Sequence, residues 1–221
     1  MRTGVLFDFN GTMFFDEQFQ EDSWKQFVGE KVGRDISDEE FRNCILGRNA
    51  DFVLQYFLNR ELTRDEIIDL EEEKEVIYRR LCLGSSAFHL APGLPEFLDK
   101  LKANGIPITI VTASCWNNVR FFFEQMKLGR WFDIDRVVYN DGSFPGKPEP
   151  DMYLLAARKI GLPAEACIVF EDSLSGIEAA KRAGARQVIK VDPRMAASPE
   201  DGIISIRDYS SNELASMITG I

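Results

Sequence analysis

Asp8 closes the apolar run Val5, Leu6 and Phe7 in "VLFDFNGTMFFD", and Phe9 follows it. A carboxylate at the end of a buried strand needs a cation or a hydrogen-bond donor beside it, because an unpaired charge among apolar groups is costly. Gly11 and Thr12 then break the strand. Three more polar features stand at comparable places: the Thr112 hydroxyl after "IPITIV", Lys147 in "PGKPEPD", and the adjacent carboxylates Glu171 and Asp172 in "CIVFED". Singly, each has an ordinary role. Strand-end aspartates cap helices, a threonine hydroxyl satisfies backbone, and a lysine between prolines is a solvated loop residue. Together they suit phosphoryl transfer, in which a carboxylate attacks phosphorus while a metal ion and a lysine neutralise the phosphoryl oxygens. Facing carboxylates repel one another. A hard, oxygen-preferring cation such as Mg2+ resolves that repulsion, bound by carboxylates and a backbone carbonyl near Asn10. Pro145 and Pro148 restrict the chain on both sides of Lys147 and hold its ammonium in place.

These residues need elements that bring them together. Short β-rich runs recur at "GVLFDF", "IPITIVT", "DRVVYN", "CIVFED" and "RQVIKVD", and helical patterns at "PEFLDKLKAN", "NVRFFFEQMKL", "DMYLLAARKIG" and "GIEAAKRAG" alternate with them. That alternation predicts an α/β fold, a Rossmann-like parallel sheet with helices on both faces, whose ligands bind beyond the carboxyl ends of the strands. The polar groups above all fall there. The stretch from about residue 17 to 86 has no comparable strand run, and Ser37 with Glu40 and Thr63 with Glu66 read as capping boxes that start helices. It is expected to be an inserted helical cap domain of residues 16–87, leaving 1–15 and 88–221 as the core.

Composition narrows the function classes. A net charge of -10 disfavours nucleic acid and anionic membrane surfaces as partners, so a phosphorylated ligand needs a local positive site. No apolar run approaches the ~18 residues of a membrane span, and Asp8 interrupts any signal-peptide core, so the expectation is a cytoplasmic protein. The four cysteines lie far apart with no CxxC pair, and His89 is the single histidine, which leaves little room for zinc, disulfides or a histidine-based triad. The expected partner is a small phosphorylated metabolite and the expected oligomeric state a monomer.

With these residues in view, the chain resembles haloacid dehalogenase superfamily phosphatases, in the subgroup similar to β-phosphoglucomutase. "DFNGT", "VTAS", "GKPEPD" and "VFEDSLSGIEAAKRAG" correspond to the family's four motifs in order and spacing, the last with Ser175 and Glu178 read as its helix cap. The resemblance implies that Asp8 is a nucleophile forming an aspartyl-phosphate, that Thr112 and Lys147 bind the phosphoryl group, and that Mg2+ is held by Asp8, the Asn10 carbonyl and Asp172. Glu171 would support the metal shell. The implied activity is Mg2+-dependent hydrolysis of a small phosphorylated metabolite, a sugar phosphate in the first instance.

Asn10 departs from that pattern. The family normally has an aspartate here, which protonates the leaving oxygen and then activates water, whereas an amide neither gives nor takes a proton at neutral pH. Several explanations stay open: another proton carrier, a slow or non-catalytic phosphometabolite-binding protein, or an inactivating Asp→Asn change. A β-phosphoglucomutase-type mutase, which needs acid-base chemistry twice per cycle, is disfavoured further. Dehalogenases of the superfamily carry an aromatic residue at this position, so Asn10 with Asp172 argues against dehalogenation.

Candidate substrate contacts lie on both parts of the chain. In "TRDEIIDLEEEKEVIYRRLCL", Lys74 is in register with the apolar stripe Ile67, Leu70, Ile77, Tyr78 and Leu81, either snorkelling or reaching substrate as lysines in similar caps do. Arg48 beside Asn49 is either placed to clamp a second phosphate or a sugar hydroxyl or is a surface arginine. Gln20 stands where sugar-phosphate mutases of the family carry histidine. Ser114, Asn117 and Asn118 follow Thr112 and are expected near the phosphate or sugar.

Overall fold

A computed structural model describes residues 3–45, 48, 50–195, 203–211, 214 and 218. It divides into two compact units, one of residues 1–15 with 89–221 and one of residues 16–88.

The first unit is built on five parallel strands, β1 (Gly4–Phe7), β2 (Ile108–Ile110), β3 (Cys167–Glu171), β4 (Gln187–Val191) and β5 (Ile204–Ile206), in the order β2-β1-β3-β4-β5. Every residue of β1 and β3 is buried, the mark of strands covered on both faces. The chain runs from β1 outward to β2 and then crosses back to β3 on the other side of β1. That reversal opens a crevice at the carboxyl ends of β1 and β3, where folds of this order bind ligands.

The second unit carries α1 (Glu17–Val32), α2 (Asp38–Glu40) running into a π-helical turn Phe41–Ile45, α3 (Ala50–Leu58) and α4 (Arg64–Leu83). Both capping boxes form. Ser37 and Thr63 each accept from the amide three residues on, and Glu40 and Glu66 accept from theirs in return. Phe27, Val28, Val53, Leu54 and Ile77 make its apolar core, with Trp24, Ile67 and Leu70 packed around it. Among the described residues no helix is long and apolar enough to cross a membrane.

The core resumes with α5 (Leu94–Ala103), α6 (Trp116–Gln125), α7 (Asp151–Lys159) and α8 (Leu174–Arg182). The Ala91 amide donates to the Met13 carbonyl at 2.8 Å, so the core's chain closes on itself where the insertion leaves and returns.

Two local expectations are corrected. "DRVVYN" is not a strand: residues 134–136 form a 3-10 turn, and Val138 alone pairs with Val111 before the chain leaves the sheet edge toward the Lys147 loop. The cap of α8 is Ser173 rather than Ser175. The Ser173 hydroxyl accepts from the Gly176 amide at 3.1 Å, because the helix starts at Leu174, directly after the turn that follows β3.

Candidate active site

Phe7 of β1 and Phe170 of β3 are register partners, and the Asp8 amide donates to the Phe170 carbonyl at 3.0 Å. The next residues on the two strands, Asp8 and Glu171, therefore stand side by side, and Asp172 follows. One oxygen from each of these three carboxylates lies within 4.8 Å of the others. Gly11 lets them converge. Its φ is +78°, and a Cβ there would sit 2.1 Å from Asp172 Oδ2, so a side chain would both strain the turn and displace the carboxylate. Thr12 Oγ1 donates to Asp172 Oδ1 at 3.3 Å.

Lys147 answers the burial problem posed by Asp8. Its loop is largely exposed, yet its ammonium is drawn in, donating to Asp8 Oδ1 at 2.5 Å and to Glu171 Oε1. Glu171 is fully buried and held on both oxygens. Tyr153 OH donates to Oε1 at 2.9 Å, and the Ser173 amide and hydroxyl donate to Oε2, each at 3.0 Å. A Cβ on Gly176 would fall 1.7 Å from Glu171 Oε1, so the first turn of α8 is packed onto this carboxylate.

These surroundings set the charges. Burial pushes Asp8 well above the usual carboxylate range, opposed by Lys147 and reinforced by Glu171 and Asp172. Burial and then Glu171 raise Asp172 to about 7. Glu171 goes the other way: burial opposes its ionisation, but Lys147, Ser173 and Tyr153 hold it below the ordinary glutamate value. Burial would lower Lys147, yet Asp8, Tyr153 and Glu171 together hold it well above the ordinary lysine value.

Thr112 is buried, and its Oγ1 accepts from the Ser114 amide at 3.1 Å. Ser114 Oγ in turn donates to Asn10 Oδ1 at 2.8 Å, linking the loops after β1 and β2. Asn118 is buried in the first turn of α6 and Asn117 is exposed beside it. Cys115 is the N-cap residue of that helix. His89 is exposed, with its ring against its own neighbour's carbonyl.

Within the second unit, Lys74 is buried and donates to Gln20 Oε1 at 3.0 Å, and it pairs with Glu75 at 2.6 Å. Gln20 Nε2 and Tyr78 OH both donate to the buried Asp16 Oδ2, at 3.0 and 2.7 Å. The structure thus joins Lys74 and Gln20 in one network. Arg48 instead is exposed, its guanidinium carbon 5.3 Å from the Phe52 ring centroid, and Asn49 lies outside the described residues. Sequence reasoning missed Tyr153, Ser173 and Asp16. Tyr153 was legible only as a hydroxyl-bearing residue on the buried stripe of the helix after Lys147.

The donor set fits a hard divalent cation. Asp8 and Asp172 are both raised in this cluster, a cation can take the place of their protons, and carboxylate oxygens are the ligands Mg2+ prefers. Glu171 already has four donors on its two oxygens, which leaves Asp8 and Asp172 as the carboxylates suited to the ion.

A model of the haloacid dehalogenase-like hydrolase family matches residues 3–184. The chain belongs to that family. This haloacid dehalogenase-like hydrolase is 27% identical over 191 residues to the phosphorylated carbohydrates phosphatase of Thermotoga maritima, covering 85% of this chain and 84% of that one. It is 25% identical over 218 residues to hexitol phosphatase B of Escherichia coli K12, covering 95% and 93%. A crystal structure of a family IA, variant 3 hydrolase from Entamoeba histolytica superposes with a TM-score of 0.90 at 35% identity, covering 99% of this chain and 100% of that one. The parallel sheet expected from the strand pattern and the family expected from the four motifs are therefore both observed.

Proposed function

We propose that this hydrolase is a Mg2+-dependent phosphatase of a small phosphorylated metabolite, a sugar or sugar-alcohol phosphate, working through an acyl phosphate on Asp8. The observation that carries this reading is the Lys147 ammonium bonded to both Asp8 and Glu171 beside Asp172. A nucleophilic carboxylate, a fixed cation and a second carboxylate within one small space are what phosphoryl transfer through an enzyme acid requires. The names of the phosphorylated carbohydrates phosphatase and of hexitol phosphatase B support the substrate class.

In this reading an Asp8 oxygen attacks phosphorus, and the bond from phosphorus to the leaving oxygen breaks with its electron pair going to that oxygen. Lys147, already on Asp8, turns to the phosphoryl oxygens, and Thr112 and the Ser114 amide complete their hydrogen bonding. Water then adds to phosphorus and the bond to Asp8 breaks, releasing inorganic phosphate and restoring the carboxylate. Asp8, Asp172 and the Asn10 backbone carbonyl would hold Mg2+, which supplies neutralisation of the phosphoryl charge. The Asn10 side chain accepts from Ser114 and neither gives nor takes a proton at neutral pH, so the leaving oxygen departs as an anion or takes its proton from water.

That last point favours a second reading, a protein that binds its phosphate ester and cleaves it slowly. Hydrolysis of a panel of sugar, sugar-alcohol and nucleotide phosphates with and without Mg2+, with acid-quench trapping of the Asp8 acyl phosphate, separates the two. Metal-dependent turnover with a trapped adduct supports the phosphatase. Ligand binding with neither would replace it by the binding protein.

A further inference from the structure

We propose that Tyr153 is a positioning residue that fixes Lys147 between Asp8 and Glu171 and so sets where the ammonium meets the phosphoryl group. This rests on the phosphatase reading for its kinetic consequence, though not for its geometry.

Lys147 belongs to a largely exposed loop, restrained locally by its flanking prolines and by the Glu149 amide donating to the Gly146 carbonyl at 3.1 Å, so where the ammonium points is set by the groups around it. Three groups anchor its ammonium: Asp8 Oδ1 at 2.5 Å, Glu171 Oε1, and the face of the Tyr153 ring, whose centroid lies 5.3 Å from Nζ. Tyr153 acts twice in this set. Its ring attracts the cation directly. Its hydroxyl, 2.9 Å from Glu171 Oε1, donates to the same oxygen that receives Lys147.

The second contact decides how the lysine is shared. Glu171 Oε2 is taken by the Ser173 amide and hydroxyl, so Oε1 is the oxygen that competes with Asp8 for the ammonium. A hydroxyl donor on Oε1 reduces the charge that Glu171 offers to Lys147. Without it, the buried glutamate would satisfy Oε1 from the lysine alone and draw it off Asp8, since a buried acceptor retains whichever donor remains. Tyr153 is itself rigid. It is 1% exposed, three residues into α7, and packed in the core cluster with Leu6, Val111 and Ala180. The lysine loop leads directly into that helix, so the residue that sets the ammonium's position is tied to the loop that carries it.

The test is Tyr153→Phe, which keeps the ring and removes the hydroxyl. For 4-nitrophenyl phosphate with Mg2+, kcat should fall about ten- to a hundredfold while KM stays within about threefold, because a displaced cation harms the transition state more than ground-state binding. Affinity for vanadate, which adopts the five-coordinate geometry, should fall by the same factor, and affinity for inorganic phosphate should not. Unchanged kcat and vanadate affinity would overturn the proposal. So would a parallel weakening of phosphate, vanadate and substrate together with a lowered melting temperature, the signature of a loosened core. A readout independent of turnover is the Lys147 ammonium signal in proton-nitrogen spectra of the full-length protein. It should be protected from exchange in the parent and exposed in Tyr153→Phe. Should the parent hydrolyse no ester, the phosphatase reading fails and this signal decides alone: a lost signal sustains the positioning role, and an unaltered one refutes it.

Discussion

Asn10→Asp is the sharpest perturbation of this site. Asn10 Oδ1 accepts from Ser114 Oγ at 2.8 Å, and an aspartate keeps that acceptor with nearly the same shape, so the loop after β1 should stay where it is. What changes is the other end of the side chain, from an amide that cannot release a proton to a carboxyl that can. A positioned acid or base contributes on the order of 10²–10⁴-fold, equivalent to ~3–5 kcal/mol at 1.36 kcal/mol per tenfold. Part of this is offset because the added carboxyl lies two residues from Asp8 in a site already rich in carboxylates, so at least about tenfold is the expected gain on a sugar or sugar-alcohol phosphate at neutral pH. The gain should depend on the leaving group. For 4-nitrophenyl phosphate, whose phenolate leaves without a proton, the change should stay within about threefold. Steady-state phosphate release by both proteins on both substrates measures it. An unchanged or lower rate on the sugar phosphate would mean that another group already moves the proton. An equal gain on both substrates would mean that Asn10 limits something other than leaving-group departure.

Asp8→Asn should abolish turnover and acyl-phosphate trapping while leaving the fold intact, since the amide is nearly isosteric; phosphate release at the parent rate would remove Asp8 from the nucleophile's role. Gly176→Ala should cost both stability and activity, because the new methyl would meet Glu171 Oε1; a parent-like melting temperature and kcat would show that the first turn of α8 yields easily. Stabilisation by Mg2+ should grow as pH rises through about 7. Asp172 is raised to about 7 in the folded protein, against an ordinary aspartate value of 3.8, so in the metal-free protein this group alone lowers stability as pH rises between those values. Mg2+ takes the proton's place, and the metal-induced rise in melting temperature should be larger at pH 8 than at pH 5.5. An equal shift at both would refute Asp172 as a ligand.

The parallel sheet was legible because its inner strands are buried on both faces and read as unbroken apolar runs ending in polar residues, as in Val5–Phe7 before Asp8 and Ile168–Phe170 before Glu171. The same signal misled at "DRVVYN", where β-branched residues sit at a sheet edge and Val138 alone finds a partner. Ser173 and Ser175 could not be ranked from composition, since which serine caps α8 depends on where the turn after β3 ends. Tyr153 was hidden for a different reason. An aromatic residue on a buried helical stripe looks like packing, and only the position of Glu171 in three dimensions shows that its hydroxyl donates to a site carboxylate.

The hydrogen bond from Ala91 to Met13 has an evolutionary consequence. It clips together the two points where residues 16–88 leave and rejoin the core, so for the sheet the whole insertion amounts to a closed loop. The entropy of such closure grows slowly with length, so the insertion can be lengthened, replaced or traded for another at little cost to the strands that carry Asp8 and Glu171.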